Sequence, residues 1–133
     1  MIGLDSNVLV RLLVGDDPGQ SERARRFVDR RCTPESPGFI NCVVLAEVVW
    51  VLSACYGYPR SEIANALDSL LAGQDRVIEA YDDVRAALDD YRSGRAEFVD
   101  SLIGQINRTR GCEATATFDR RAAKLDEIFM MVQ

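Results

Sequence analysis

Residues 1–15, MIGLDSNVLVRLLVG, change their hydrophobic period at Asp5. MIGLD is a short apolar strand with Asp5 at its C-terminal end, and NVLVRLLVG is a short helix closed by Gly15. A carboxylate at that boundary has two readings. It caps the helix, since aspartate accepts hydrogen bonds from the free N–H groups of a first turn, or it forms one wall of a catalytic site.

The same alternation continues along the chain. Pro18 suits the first turn of a helix running to about Arg31, with Ala24, Phe27, Val28 and Arg31 near one face and Arg23, Arg25, Arg26 and Arg30 around the others. TPESPG is a loop, FIN a second short strand, and CVVLAEVVWVLSACYGY an apolar helix. A helix from about Ser61 to Ala72 turns Ile63, Leu67, Leu70 and Leu71 inward, and RVIEA is a brief strand before the helix DDVRAALDDYRSG. EFVDSLIGQINRTRG is a further helix, CEATATF a strand followed at once by Asp119, and IFMMV a last strand. Short strands separated by helices predict one α/β domain over residues 1–133, with a mostly parallel central sheet of four to five strands and helices on both faces.

Composition removes several kinds of chemistry. The chain has 133 residues, enough for one core, and no histidine, so Ser-His-Asp and Cys-His catalysis are excluded. Cys32, Cys42, Cys55 and Cys112 are widely spaced without a C-x-x-C pair and read as buried, reduced thiols. There is neither a Walker-type phosphate loop nor G-x-G-x-x-G. No apolar run approaches the roughly 18 residues of a membrane span, and no basic leader opens the chain, so a cytoplasmic protein without a membrane partner is expected. A net charge of −5 argues against nucleic-acid binding by bulk positive charge, but not against a small acidic site that recruits cations.

Carboxylates are then the groups left to do chemistry. Asp5 and Asp119 both follow strands, at the sheet edge where open parallel sheets bind ligands. Glu47 interrupts VVLAEVVWVL with no polar stripe to receive it, and a buried carboxylate there needs a cation, a hydrogen-bond network or a water-filled edge. Glu97 and Asp100 lie three apart at a helix start, where the macrodipole favours negative charge and plain capping is an alternative. Asp5, Glu47, Asp100 and Asp119 come from four segments that an α/β topology can bring to one end of a sheet. Divalent cations relieve the repulsion of such a cluster, and oxygen-only donors point to Mg²⁺ or Mn²⁺.

GLDSNVLVRLL with DDP, LAEVVWVL, EFVDSLI and GCEATATFDRR, in this order, resemble the PIN domains, and most closely the VapC toxins of bacterial toxin–antitoxin modules. The resemblance implies an acidic quartet of Asp5, Glu47, Asp100 and Asp119, with Asn7 and Thr117 as supporting polar residues. Glu97 stands where relatives often carry Asp, and Ser101 at a small position expected to matter little. It further implies a Mg²⁺- or Mn²⁺-dependent endoribonuclease, an RNA substrate and a cognate antitoxin that covers the acidic groove. A homodimer is expected through apolar surface around Trp50, Tyr56 and Leu67.

RNA approaching an acidic protein needs local positive charge, for which Arg11, Arg120, Arg121 and the Arg23–Arg31 cluster are candidates, with a solvated face as the alternative for that cluster. Two other functions compete. One is a catalytically inactive PIN-like module that only binds RNA or protein. The other is an aspartyl-phosphate phosphatase or phospho-acceptor domain, which Asn7, two residues after Asp5, and the placement of the lone Lys124 disfavour.

Overall fold

The computed structural model describes residues 1–133. The chain forms two compact units, Met1–Glu79 and Ala80–Gln133.

In the first unit β1 (Ile2–Gly3), α1 (Ser6–Val14), α2 (Pro18–Arg31), β2 (Gly38–Ile40), α3 (Cys42–Ala54), α4 (Arg60–Ala72) and β3 (Arg76–Ile78) follow one another. The sheet has the order β1-β2-β3 and both pairings are parallel, with Gly3 opposite Phe39 and Ile40 opposite Ile78. Parallel neighbours cannot be joined by a hairpin, and the helices between successive strands supply the required crossovers.

Local chemistry explains the helix ends. The Asp5 carboxylate accepts from the Ser6 N–H at 2.7 Å and starts α1, while Gly15, with φ +70°, ends it in the left-handed conformation that glycine adopts without a Cβ penalty. Asp17 caps α2 by accepting from Gln20 N–H at 3.1 Å, with Pro18 in the first turn. Asn41, expected within a strand, instead caps α3 by accepting from Val44 N–H at 2.9 Å.

α1 packs against α2 and α3. Its inward residues Leu9 and Val10 are buried, as are Leu45, Val48 and Leu52 of α3 and Ile63, Leu67, Leu70 and Leu71 of α4. In α2 the buried positions are Ser21 and Val28, whereas Phe27, expected inside, is 40% exposed.

The second unit contains α5 (Tyr81–Arg92), α6 (Phe98–Thr109), β4 (Thr115–Thr117), a 3-10 turn (Ala122–Lys124) and β5 (Phe129–Met131). α5 and α6 pack together, with Tyr91 and Phe98 edge to face at 6.4 Å. β4 and β5 form a separate parallel pair, Thr117 opposite Met131. The α/β class and parallel pairing agree with the sequence, but one sheet of four to five strands does not: the five strands divide into three and two. Strands of two or three residues announce themselves by their apolar pattern, while their partners depend on contacts distant in sequence.

Three further expectations change. Glu47 lies on the exposed side of α3, because the helix buries Leu45, Val48 and Leu52 and leaves Val43, Glu47 and Trp50 outward at i, i+4 and i+7. Leu67 is fully buried and cannot contribute to a surface. Cys55 and Cys112 are exposed thiols, and only Cys32 is buried. No helix is long and apolar enough to cross a membrane.

Candidate functional site

Each unit carries its own set of the acidic residues. In the first, Asp5 is at the end of β1 and Glu47 one turn into α3, both exposed. Ser6 joins them. Its side chain is buried, and its hydroxyl donates to Glu47 Oε1 and lies 3.4 Å from Asp5 Oδ1. Because Asp5 Oδ1 takes the Ser6 N–H, its second oxygen accepts no hydrogen bond and remains available. Asp5 therefore caps α1 with one carboxylate oxygen and leaves the other without a donor.

Beside this pair is a recess of about 190 Å³ lined by Ser6, Asn7, Val10, Arg11, Glu47, Val51 and Tyr56. Arg11 Nη1 pairs with Asp16 Oδ1 at 2.8 Å, and the Tyr56 hydroxyl donates to Asp16 Oδ2 at 3.0 Å. The hydrogen bond from Tyr56, followed by the charge of Arg11, holds the Asp16 carboxyl below its ordinary range, and the same bond raises the Tyr56 pKa. Arg11, a candidate RNA contact, is thus already half engaged.

In the second unit Glu97, Asp100 and Asp119 share a recess of about 120 Å³ with Arg95, Arg121 and Lys124. Asp119 follows β4, and its Oδ1 accepts from the N–H groups of Arg121 at 2.8 Å and Ala122 at 3.4 Å. The Thr117 hydroxyl oxygen accepts from Asp119 N–H at 2.9 Å. Asp119 therefore uses one oxygen for a turn and keeps the other open, as Asp5 does. Glu97 accepts from Arg121 Nη2 at 3.2 Å, which leaves Arg120 as the exposed arginine of this segment without an ion pair.

Asp100 accepts no hydrogen bond from the protein. Burial, and then the negative charges of Asp119 and Glu97, raise its pKa above the ordinary carboxylate value, with Arg121 acting in the opposite sense. Its neighbour Ser101, which sequence gave little weight, is fully buried and donates to Asp90 Oδ2 at 2.7 Å. Asp90 is also buried, accepting from Gln105 Nε2 at 3.3 Å and Arg95 Nη1 at 3.2 Å. This network locks the first turn of α6, and with it the backbone that carries Asp100, to α5. Sequence reading missed Asp90 because DDY in an exposed-looking helix offers no sign that the second aspartate turns inward.

Three or more acidic or thiol side chains do not close on one point as a ready-made cage. The donors present are hard oxygens that leave positions open, in pairs. Such pairs suit Mg²⁺ or Mn²⁺ better than Ca²⁺ or Zn²⁺, because Mg²⁺ keeps much of its water and is held by one or two carboxylates together with substrate phosphate.

Residues 2–128 match the family model described as the PIN domain. The VapC ribonuclease of Aquifex aeolicus (strain VF5) is 25% identical over 122 residues, which cover 92% of this chain and 90% of the relative. The family match extends through both units and includes Asp5, Glu47, Asp100 and Asp119. This chain belongs to the PIN domain family.

Proposed function

We propose that this protein is a metal-dependent endoribonuclease of the VapC toxin type, acting in the cytoplasm as a single functional domain. The observation that carries the proposal is Asp100, a carboxylate without a hydrogen-bond donor whose ionised form is disfavoured first by burial and then by Asp119 and Glu97 in the same recess. A divalent cation is the group that reverses this penalty.

Asp5, Glu47, Asp100 and Asp119 serve as the metal-holding residues, and Glu97 assists through its charge. When bound, Mg²⁺ or Mn²⁺ supplies an activated water and neutralises charge on the scissile phosphate. The chain's own residues prepare for this. Ser6 fixes Glu47, the Arg121 and Ala122 N–H groups fix Asp119, and Thr117 orients the turn after β4. Asn7 lines the recess beside Glu47, and its amide is the group we assign to donate to a phosphate oxygen. Arg11, Arg120 and Arg121 are candidates for RNA contacts.

A cognate antitoxin is the proposed protein partner, as the resemblance of the sequence motifs to VapC toxins implies. We propose a homodimer through apolar surface around Trp50, which is 63% exposed. Light scattering should give twice the chain mass for wild type and the monomer mass for Trp50→Glu; a wild-type monomer at high micromolar concentration overturns this.

The nuclease reading is tested by incubating the full chain with a mixed RNA pool in Mg²⁺, Mn²⁺ or EDTA. Cleavage is expected only with metal and only for wild type, not for Asp5→Asn or Asp100→Asn. Cleavage that survives both substitutions overturns the metal-site assignment. RNA left intact by wild type under every condition favours an inactive binding module.

A further inference from the structure

α2 is an unusual helix for an acidic protein. It contains five arginines against two acids, Glu22 and Asp29, in a chain whose net charge is −5. Arg23, Arg26, Phe27, Arg30 and Arg31 fall at i, i+3, i+4, i+7 and i+8, the spacing that puts side chains on one face. That face is normally apolar and turned to the core. Here the core side is served by Ser21 and Val28, and the arginine stripe points outward.

The stripe is not neutralised from within the protein. Arg23, Arg30 and Arg31 have no carboxylate partner, and Arg26 shares Glu22 with Arg25 at 3.4 and 3.5 Å in exposed pairs that hold little energy. Phe27 lies in the middle, 40% exposed, with the Arg31 guanidinium carbon 5.7 Å from its ring centre. An aromatic ring exposed among guanidinium groups is the combination by which proteins hold single-stranded nucleic acid: the cations follow the backbone and the ring stacks on a base.

The recesses along this face are connected by shared walls. One of about 380 Å³ is formed by the stripe itself. A second, of about 570 Å³, shares Arg23 and Phe27 with it and adds Asn7, Arg11 and Gln20. The third is the recess containing Ser6 and Glu47, which shares Asn7 and Arg11 with the second. A continuous open path therefore runs within the first unit from Glu47, across α1, to the exposed side of α2.

We propose that this path is the docking track for single-stranded RNA, with Arg23, Arg30 and Arg31 on phosphates and Phe27 against a base. The inference rests on the endoribonuclease reading and extends it by assigning where substrate beyond the scissile bond is held. Charge explains why such a track is needed. The acids that hold metal repel RNA, so anchoring falls to a cationic surface set apart from them, about 12 Å long from Arg23 to Arg31 at the helical rise. An acidic polypeptide would also meet the positive charge, but it has no use for the stacking ring, whereas an RNA uses the cations, the ring and, at its scissile phosphate, the site beside Glu47.

The test is fluorescence anisotropy of a labelled mixed-sequence single-stranded RNA with the full chain in EDTA, where neither metal nor cleavage contributes. Arg23→Ala/Arg30→Ala/Arg31→Ala should weaken binding and flatten the plot of log affinity against log salt by about 2, at roughly 0.7 per phosphate contact. Phe27→Ala should weaken binding about fivefold or more and leave the salt slope unchanged. Circular dichroism melts of all variants should match wild type, since the changed side chains are exposed; a triple variant that melts early is replaced by Arg→Gln at the same positions.

Unchanged affinity and slope in the triple variant overturn the track, as does a wild type that does not bind the RNA. Stripe-dependent binding of polyglutamate in preference to RNA also overturns it and gives the surface to an acidic protein partner. Because the assay contains EDTA, failure of metal-dependent cleavage overturns the nuclease reading without altering this result.

Discussion

The Ser6 hydroxyl donates to the Glu47 carboxylate, joining the first turn of α1 to α3 across 41 positions of sequence. Ser6 is itself buried and follows Asp5, so a single side chain sets the relation between the two acids of the first unit. Removing the hydroxyl in Ser6→Ala should lower Mn²⁺ affinity about 10- to 100-fold, the usual effect of losing a group that orients a ligand. Ser6→Thr, which keeps a hydroxyl, should restore much of it. Calorimetric titration with Mn²⁺ checks both, and equal affinity of Ser6→Ala and wild type would confine Ser6 to packing.

Asp100 should trade stability for function. Burial first, then Asp119 and Glu97, place its folded pKa above the unfolded value. The resulting destabilisation is absent below the unfolded pKa, develops as pH rises between the two values, and is complete above the folded one. Asp100→Asn is therefore expected to be more stable than wild type at pH 7 without divalent ions, and inactive. The stability gain should vanish as pH falls below about 4, the ordinary carboxylate range. Urea unfolding at both pH values measures it.

The contact between Tyr56 and Asp16 should be indifferent to pH over a wide range. Asp16 has a lowered pKa and contributes stability above its unfolded value, losing it as pH falls through the folded one. Tyr56 has a raised pKa and contributes below its unfolded value, losing it as pH rises through the folded one. The destabilisation caused by Tyr56→Phe should accordingly be flat from about pH 5 to 9 and shrink outside about pH 4 and 10. Thermal melts across that range read it directly.

Asp90 and Ser101 should behave as a coupled pair. Asp90→Ala leaves the Ser101 hydroxyl buried without its acceptor, and Ser101→Ala removes the 2.7 Å donor from a buried carboxylate. Each should cost about 1–3 kcal/mol in denaturant unfolding. The double variant should cost less than the sum, because the second change removes a group already left unsatisfied.

Gly104 permits close packing of α6 on β5. A Cβ there would fall 2.8 Å from ring atoms of Phe129, well inside contact distance. Gly104→Ala should destabilise the fold by about 1–3 kcal/mol through overpacking, despite the better helix propensity of alanine. A variant as stable as wild type in urea would show that β5 yields at this point.

Much of the local architecture was legible because it depends on neighbours in the chain. Asp5, Asp17 and Asn41 stand at helix starts, Gly15 at an end, and Ile63, Leu67, Leu70 and Leu71 repeat at the spacing that buries them. The strand-end positions of Asp5 and Asp119 follow from the same rules of period and capping. α3 was legible as a helix but not in its orientation: apolar on every side, it has no stripe to show that Leu45 turns inward and Trp50 outward.

Sequence by itself determined the elements, their parallel α/β class, the family motifs and, by the absence of histidine, the exclusion of Ser-His-Asp and Cys-His catalysis. Tertiary structure alone decided that the strands divide into three and two, that Ser6 holds Glu47, that Asp90 turns into the protein to meet Ser101, and that the arginine stripe of α2 stays exposed. The division has a physical cause. Capping and periodicity act within a few residues, whereas strand pairing, burial of a polar side chain and the outward face of a uniformly apolar helix depend on groups tens of positions away.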